Sequence, residues 1–317
     1  MKAKRIVSIL LTGSMLLSLL PVSALAATPV FDAPAQTTAK KAAPLVQEAD
    51  ASRSTEEEAA TRSSRDLDAE NGTADSITIQ LNAEGKPESE GDSEHWAYDY
   101  ATSFSLNLRQ GTFTLQPSSE SGAESALQTD LDIRKDAEFN SGTVGRRAYN
   151  EGTISDGTFQ REVYNYGTIS NGTFQWEVTN EGTISGGIFQ RRVYNYEIIS
   201  DGTFQGNVRN YGTISGGTFE EAVGVYASSR TEAKIEGGTF EKDMTLANDD
   251  APITIKDGLF DGEVVTKKCD SPLSISGGLF TKAVDVSNIT NLPNLQITGG
   301  YFVNEPTMPE GSDTGFT

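Results

Sequence analysis

The sequence predicts an all-β chain wound as a single-stranded parallel β-helix, with about 15 residues per coil centrally and 20–22 toward the C-terminus. Three observations carry this. Apolar residues return at a fixed step of fifteen in three separate columns. Turn dipeptides ending in glycine return at the same step. The runs between them are short and rich in Thr, Ile and Val, with one apolar residue between two polar ones, as in a half-buried strand.

The first apolar column is Phe139, Ile154, Ile169, Ile184, Ile199 and Ile214. The second is Val144, Phe159, Phe174, Phe189, Phe204 and Phe219, and the third is Ala148, Val163, Val178, Val193, Val208 and Val223. Self-similarity at one short period marks a solenoid. Asp156-Gly157, Asn171-Gly172, Gly186-Gly187, Asp201-Gly202 and Gly216-Gly217 supply a corner whose glycine tolerates positive φ. In Thr-Ile-Ser a strand aims Ile154 inward and Thr153 and Ser155 outward. Three such strands and three corners make one triangular coil. One coil buries too little apolar surface to offset the entropy of ordering its backbone, so pairing with neighbours is required.

An asparagine column, Asn150, Asn165, Asn180, Asn195 and Asn210, follows the third strand. Stacked at one corner, each side-chain amide can donate to the next carbonyl along the axis. Asparagine also suits turns by itself, but its strict recurrence favours a ladder.

Outside the central block the unit I-x-x-G-x-F survives at Ile235, Ile255, Ile275 and Ile297, with longer corner loops such as the one around Asp249, Asp250 and Pro252. Leu108 to Phe113 reads as the same unit upstream. Ten or eleven coils are expected, a rod roughly 50 Å long at ~4.8 Å per coil. One coil is damaged: Glu197-Ile198 stands where its neighbours have Gly-Thr.

Ahead of the repeats, residues 1–26 read as a signal peptide. Lys2, Lys4 and Arg5 precede an apolar run at 6–20, and Ala24-Leu25-Ala26 fits a cleavage site. The chain is therefore expected to be secreted or held at the cell surface. No second apolar stretch reaches the ~20 residues of a membrane span. Residues 27–74 lack periodic hydrophobics and read as a disordered acidic linker. Residues 75–308 form the expected solenoid, and 309–317 a polar tail. Net charge is −20, half of it within 28–100. That balance argues against nucleic acid or an anionic membrane as partner. The single cysteine, Cys269, excludes an internal disulfide and a cysteine-built metal site.

Tandem I-S-G-G-x-F units, as at Ile275 and in variant form throughout, resemble the repeats of secreted and surface β-helix proteins of Gram-positive bacteria. The fold resembles the right-handed parallel β-helix of pectate-lyase-like and adhesin-like proteins, in which asparagine ladders also occur. The resemblance covers about two-thirds of the chain. It implies a β-helix, a Gram-positive-like source, and either polysaccharide chemistry or adhesion.

A lyase or hydrolase of that kind needs clustered carboxylates. The best acidic group is Asp249, Asp250, Asp257, Asp261 and Glu263, which also reads as a solvated loop. His95 stands alone before the repeats, beside Trp96. The binding candidates are aromatic. If Asn165 points in, Tyr164 and Tyr166 point out, and with Tyr149, Tyr194, Tyr196, Tyr211 and Trp176 they offer ring surfaces for sugar stacking. Tyrosine is equally an ordinary strand residue. Thr/Ser pairs such as Thr168 and Ser170 resemble ice-binding arrays, but Ile198 interrupts them.

The expectation is a non-catalytic, adhesin-like or carbohydrate-binding module, monomeric, without cofactor or metal, whose partners are glycans or host-surface proteins. A purely structural stalk is the alternative, and a polysaccharide lyase or glycoside hydrolase a weaker one.

Overall fold

A computed structural model describes residues 75–312 apart from 99, 101–104, 120–124 and 229–230. They belong to one compact unit, Thr73–Thr314. The expected signal peptide and linker lie outside the described residues.

Among the described residues the unit is a parallel β-helix built mostly of short strands, with one 3-10 turn, Leu292–Asn294. Each central coil has three sides. On the isoleucine side Thr168–Ile169 pairs in parallel with Thr153–Ile154 below and with Thr183 and Ile184 above. On the phenylalanine side Thr173–Phe174 pairs with Thr158–Phe159 and with Ile188 and Phe189. On the valine side Val163–Asn165 pairs with Ala148–Asn150 and Val178–Asn180. Every pairing joins residues fifteen apart, so the sequence columns are the structural columns. Among the described residues the isoleucine side runs through twelve rungs, from Ile77 to Ile297. That is slightly more than the ten or eleven expected.

The interior is a stack of like side chains. From Phe159 to Phe302 the rings lie nearly parallel, with centroids 4.5–5.1 Å apart. Below Phe159 the column holds Val144 and Leu127, so the ring stack begins there. The wider coils keep this register. Thr218 and Phe219 pair with Thr239 and Phe240 although 21 residues separate them, because the extra residues lie in the corner after the valine side.

Two glycine columns are demanded for different reasons. Gly157 and Gly172 turn the corner between the isoleucine and phenylalanine sides at φ 125° and 122°. Gly182, after the asparagine, has no such φ. A Cβ there would lie 2.2 Å from the Gly167 carbonyl oxygen of the coil below. Glu197 occupies this close-packed position in the damaged coil. The ladder tolerates it: Asn195 donates to the Glu197 carbonyl at 3.2 Å, and Ile198 stays in register between Thr183 and Thr213, 41% exposed.

Two expectations change at the N-terminal end. Leu108 to Phe113 is not the repeat unit in its usual place. Phe113 pairs with Phe139 and so belongs to the isoleucine column, and Leu108 pairs with Ile133, directly below the asparagine column. The polar stretch after β1 (Ser76–Leu81) folds back. There β2 (Trp96–Tyr98) pairs antiparallel with β3 (Ser105–Pro117), burying Trp96 and Tyr98. His95 is not alone: its Nδ1 lies 2.7 Å from Asp92 and its Nε2 3.4 Å from Asp75.

Candidate functional site

The valine side places the candidate residues. Its strands read Val-x-Asn, and period-two alternation sends Val and Asn inward and the middle residue outward. The five asparagines are fully buried. Each amide donates to the next: Asn150 to Asn165 at 2.6 Å, Asn165 to Asn180 at 2.6 Å, Asn180 to Asn195 at 2.7 Å, and Asn195 to Asn210 at 2.7 Å. The same amides reach the backbone of the following corner, as Asn180 does at the Gly182 carbonyl, 3.0 Å away. The ladder starts at Asn150 because Ile133 is below it, and stops at Asn210 because Val225 is above.

The corner residue after each asparagine is pinned by a main-chain bond to the coil below. The N–H groups of Tyr166, Glu181, Tyr196 and Tyr211 donate to the asparagine carbonyls at 2.7–2.8 Å. Two tyrosine columns therefore flank the buried ladder, one before it and one after.

In the first column Tyr149 and Tyr164 stack at 5.1 Å, with planes 9° apart. Tyr194 has the guanidinium groups of Arg192 and Arg209 at 5.8 and 5.7 Å from its ring centroid. Arg192 also donates to the Tyr194 hydroxyl at 3.2 Å and pairs with Glu177 at 3.3 Å. Burial pushes the Tyr149 and Tyr211 phenols up.

In the second column Tyr196 stacks on Tyr211 at 5.0 Å, and Tyr211 on Tyr226 at 5.4 Å. Sequence reasoning missed Tyr226, although it lies fifteen residues past Tyr211. Gly224 makes room for it, since a Cβ there would sit 2.5 Å from the Tyr226 ring. Among the described residues no ring stacks on Tyr166; it is 50% exposed and separated from Tyr196, 42% exposed, by Glu181. Trp176 is 40% exposed at the other end of the valine side, with the Arg161 guanidinium 5.7 Å from its ring.

The structure thus brings the tyrosines to one side but not as separate open platforms. Rings at a ~4.8 Å repeat lean along the axis and cover one another. Of the candidate residues, the exposed ones that offer a ring face not stacked on another ring are Tyr166, Trp176 and, on one face, Tyr196.

The five acidic candidates do not converge. Asp249 and Asp250 lie in the corner after the valine side, where Lys268 pairs with Asp249. Asp257 lies at the corner before the phenylalanine side and accepts the Gly258 N–H at 2.8 Å. Asp261 and Glu263 lie at the corner after that side, and Asp261 accepts the Thr281 hydroxyl at 3.0 Å. Asp257 and Asp201 close the two ends of a shallow groove of about 530 Å³ over Gly216 and Gly237, lined by Thr218, Thr239 and Leu259. Three serines of the isoleucine side turn back to the scaffold: Ser185, Ser200 and Ser215 donate to isoleucine carbonyls one coil below. Among the described residues no group of three or more His, Cys, Asp or Glu side chains is arranged to hold a metal ion, and no helix is long and apolar enough to cross a membrane.

Comparison with family models, with curated proteins and with solved structures found no match to this chain.

Proposed function

We propose that the chain is a secreted or cell-surface interaction module that works without catalysis, a β-solenoid carried on an acidic spacer and presenting aromatic residues to a carbohydrate. The export signal at residues 1–26 and the tandem glycine-phenylalanine repeats, like those of Gram-positive surface proteins, support this setting. The observation that carries the binding reading is the trio Tyr166, Glu181 and Tyr196 on consecutive rungs. It offers two half-exposed rings with a carboxylate between them. A pyranose can stack its C–H face on one ring while its hydroxyls donate to Glu181. The separation of the acidic candidates onto three corners supports a role without hydrolysis or lyase chemistry.

The second reading is a structural stalk, whose partners would be other proteins of the surface. The face-to-face stacking of Tyr149 on Tyr164 and Tyr196 on Tyr211 favours it, because those faces already serve the scaffold. Electrophoresis through native gels cast with different polysaccharides separates the two. The binding reading expects retardation in at least one gel and its loss in the double variant Tyr166→Ala, Tyr196→Ala. Free migration in every gel leaves the stalk, and a cleared zone in the stained polysaccharide restores the enzyme.

A further inference from the structure

Two gaps between tyrosine rings open beside the asparagine ladder, one in each tyrosine column. Tyr166, Glu181 and Tyr196 stand on successive rungs after the ladder, and Tyr164, Thr179 and Tyr194 before it. In the column after the ladder each residue is fixed by an N–H donating to an asparagine carbonyl one coil below at 2.7–2.8 Å. Rings one rung apart there lie face to face: Tyr196 and Tyr211 are 5.0 Å apart with planes at 10°, and Tyr226 continues the stack. One face of Tyr196 therefore points along the axis toward Glu181. The repeated backbone gives Tyr166 the same attachment, and the ring orientation of Tyr196 turns its upper face to the same gap. At about 4.8 Å per rung the two facing rings stand roughly 10 Å apart.

The gap after the ladder is acidic when every charged group around it is counted. Glu181 lies between the rings and Glu197 follows Tyr196; among the described residues neither has an ion pair within 4.0 Å. Glu151, one rung below Tyr166, is paired with Arg134, and Arg192 with Glu177. The other gap has Thr179 at its centre and the guanidinium groups of Arg192 and Arg209 at its upper ring. A cation is thus favoured after the ladder and disfavoured before it, in a chain of net charge −20. Beside Glu181 the flank is bare, because a Cβ at Gly182 would lie 2.2 Å from the Gly167 carbonyl oxygen. Exposed Ile198 overlooks that flank one rung higher, in register with Thr183. The two residues that damage this coil, Glu197 and Ile198, thus supply a second carboxylate and an apolar wall.

We propose that Tyr166 and Tyr196 form a slot for a quaternary ammonium group, with Glu181 and Glu197 as its counter-charge. A carbon in contact with a ring face lies about 3.5–4.0 Å from it, so contacts on both faces leave roughly 2–3 Å between the contacting layers. That is the depth of a tetrahedral trimethylammonium head. A planar guanidinium has no such depth and a bare ammonium carries no methyl groups, so neither touches both rings. A cation at the centre lies about 5 Å from each ring, inside the ~6 Å reach of a cation–π contact. Glu181 reaches less far than a tyrosine ring, so its carboxylate lies at the inner end of the slot and leaves the outer end open. The stack of Tyr211 and Tyr226 behind Tyr196 holds the upper wall in place before the ligand arrives. The carbohydrate proposed for this trio is then one that carries a trimethylammonium substituent, and the slot rests on that reading.

Choline is the probe, added to the full chain and followed by proton NMR. Its methyl singlet is expected to move upfield between the ring faces and to saturate. Tyr166→Ala and Tyr196→Ala should each weaken choline about fivefold, the contact of one ring. Glu181→Gln, which keeps the size of the side chain, should weaken it about threefold. Repairing the damaged coil with Glu197→Gly and Ile198→Thr should also cost about threefold, and equal or tighter binding there contradicts the slot. The neutral tert-butyl analogue of choline should not bind. No shift with choline at about 0.1 M overturns the proposal. So does an equal shift with the tert-butyl analogue, or a shift that survives in the variant lacking both tyrosines. Retention in a polysaccharide gel without a choline shift leaves the carbohydrate reading standing and removes the slot. A choline shift without retention in any gel keeps the slot and removes the carbohydrate. Co-sedimentation with phosphatidylcholine vesicles, lost when both tyrosines are replaced, keeps the slot and moves the ammonium group from a carbohydrate to a lipid.

Discussion

Asn150 donates its side-chain amide to the carbonyl oxygen of Asn165 at 2.6 Å, while the side-chain oxygen of Asn150 is buried and receives no hydrogen bond. The asymmetry belongs to the ladder as a whole. Donation runs one way, so one acceptor is orphaned at the bottom, where Ile133 takes the place of a sixth asparagine.

This makes the cost of removing an asparagine depend on its rung. Asn180→Ala leaves the Asn195 oxygen without its donor and removes the acceptor of Asn165. It should lower unfolding free energy by about 1–3 kcal/mol. Asn150→Val moves the orphaned oxygen from rung 150 to rung 165 without adding one, and restores the apolar type found at Ile133. It should cost less than half as much in urea denaturation. Equal losses at the two rungs would refute a directional ladder.

The phenylalanine stack predicts a larger effect. Phe204 lies between Phe189 and Phe219, with centroids 4.8 and 4.7 Å away. Phe204→Ala removes a ring from both contacts and should cost about 3–5 kcal/mol in equilibrium unfolding. A loss under about 1 kcal/mol would mean that the stack does not hold the coils together.

The damaged coil should be repairable. Glu197 crowds a position whose neighbours are glycine for want of space, and Ile198 exposes an apolar side chain. The pair Glu197→Gly and Ile198→Thr should stabilise the chain by about 0.5–2 kcal/mol, in the range of other consensus changes. An unchanged or lower melting temperature would show that the coil has adapted to its own residues.

The N-terminal hairpin should respond to pH through His95. The hydrogen bond that the His95 imidazolium donates to Asp92 raises the His95 pKa above the ordinary value, and the His95 backbone and ring hold the Asp92 carboxyl down to about 2. A raised histidine stabilises below its unfolded pKa of about 6.5 and loses that contribution as pH rises through the folded value. A lowered aspartate stabilises above its unfolded pKa of about 3.9 and loses that contribution as pH falls toward 2. Hairpin protection should therefore be greatest between about pH 4 and 6.5. His95 is the sole histidine, so its one ring resonance in a proton NMR titration reads the shift. A midpoint at or below 6.5 would contradict the pair.

Cys269 should be silent in the folded chain. It is fully buried, its Sγ lies 3.8 Å from the Leu246 carbonyl oxygen, and burial pushes its thiol up to about 11. A thiol reagent should label it only after denaturant is added; prompt labelling of the folded protein would place the side chain outside.

The strictly periodic parts were legible and the aperiodic ones were not. Ile, Phe, Val and Asn at a step of fifteen give their own alignment, because a parallel coil stacks like on like. Leu108 and Phe113 have the same internal spacing as a repeat unit, but 26 residues separate Phe113 from its partner Phe139, so no period anchors them to a side. The fold-back of Trp96–Tyr98 depends on long-range antiparallel pairing that local alternation does not announce. For the candidate site, the inward asparagines implied the outward tyrosines. The stacking of those tyrosines follows from the rung spacing and could have been anticipated from columns with Tyr in adjacent coils, as could Tyr226.

One register places every candidate residue, since a slip by one position would turn the asparagines out and the tyrosines in. Hydrogen exchange at the side-chain amides of the asparagines tests it most directly. The Nδ2 protons of Asn165, Asn180 and Asn195 should exchange only with global unfolding of the coils, far more slowly than those of exposed Asn171 or Asn207. Exchange of the ladder amides at the rate of exposed ones would contradict the register, and with it the outward tyrosine columns.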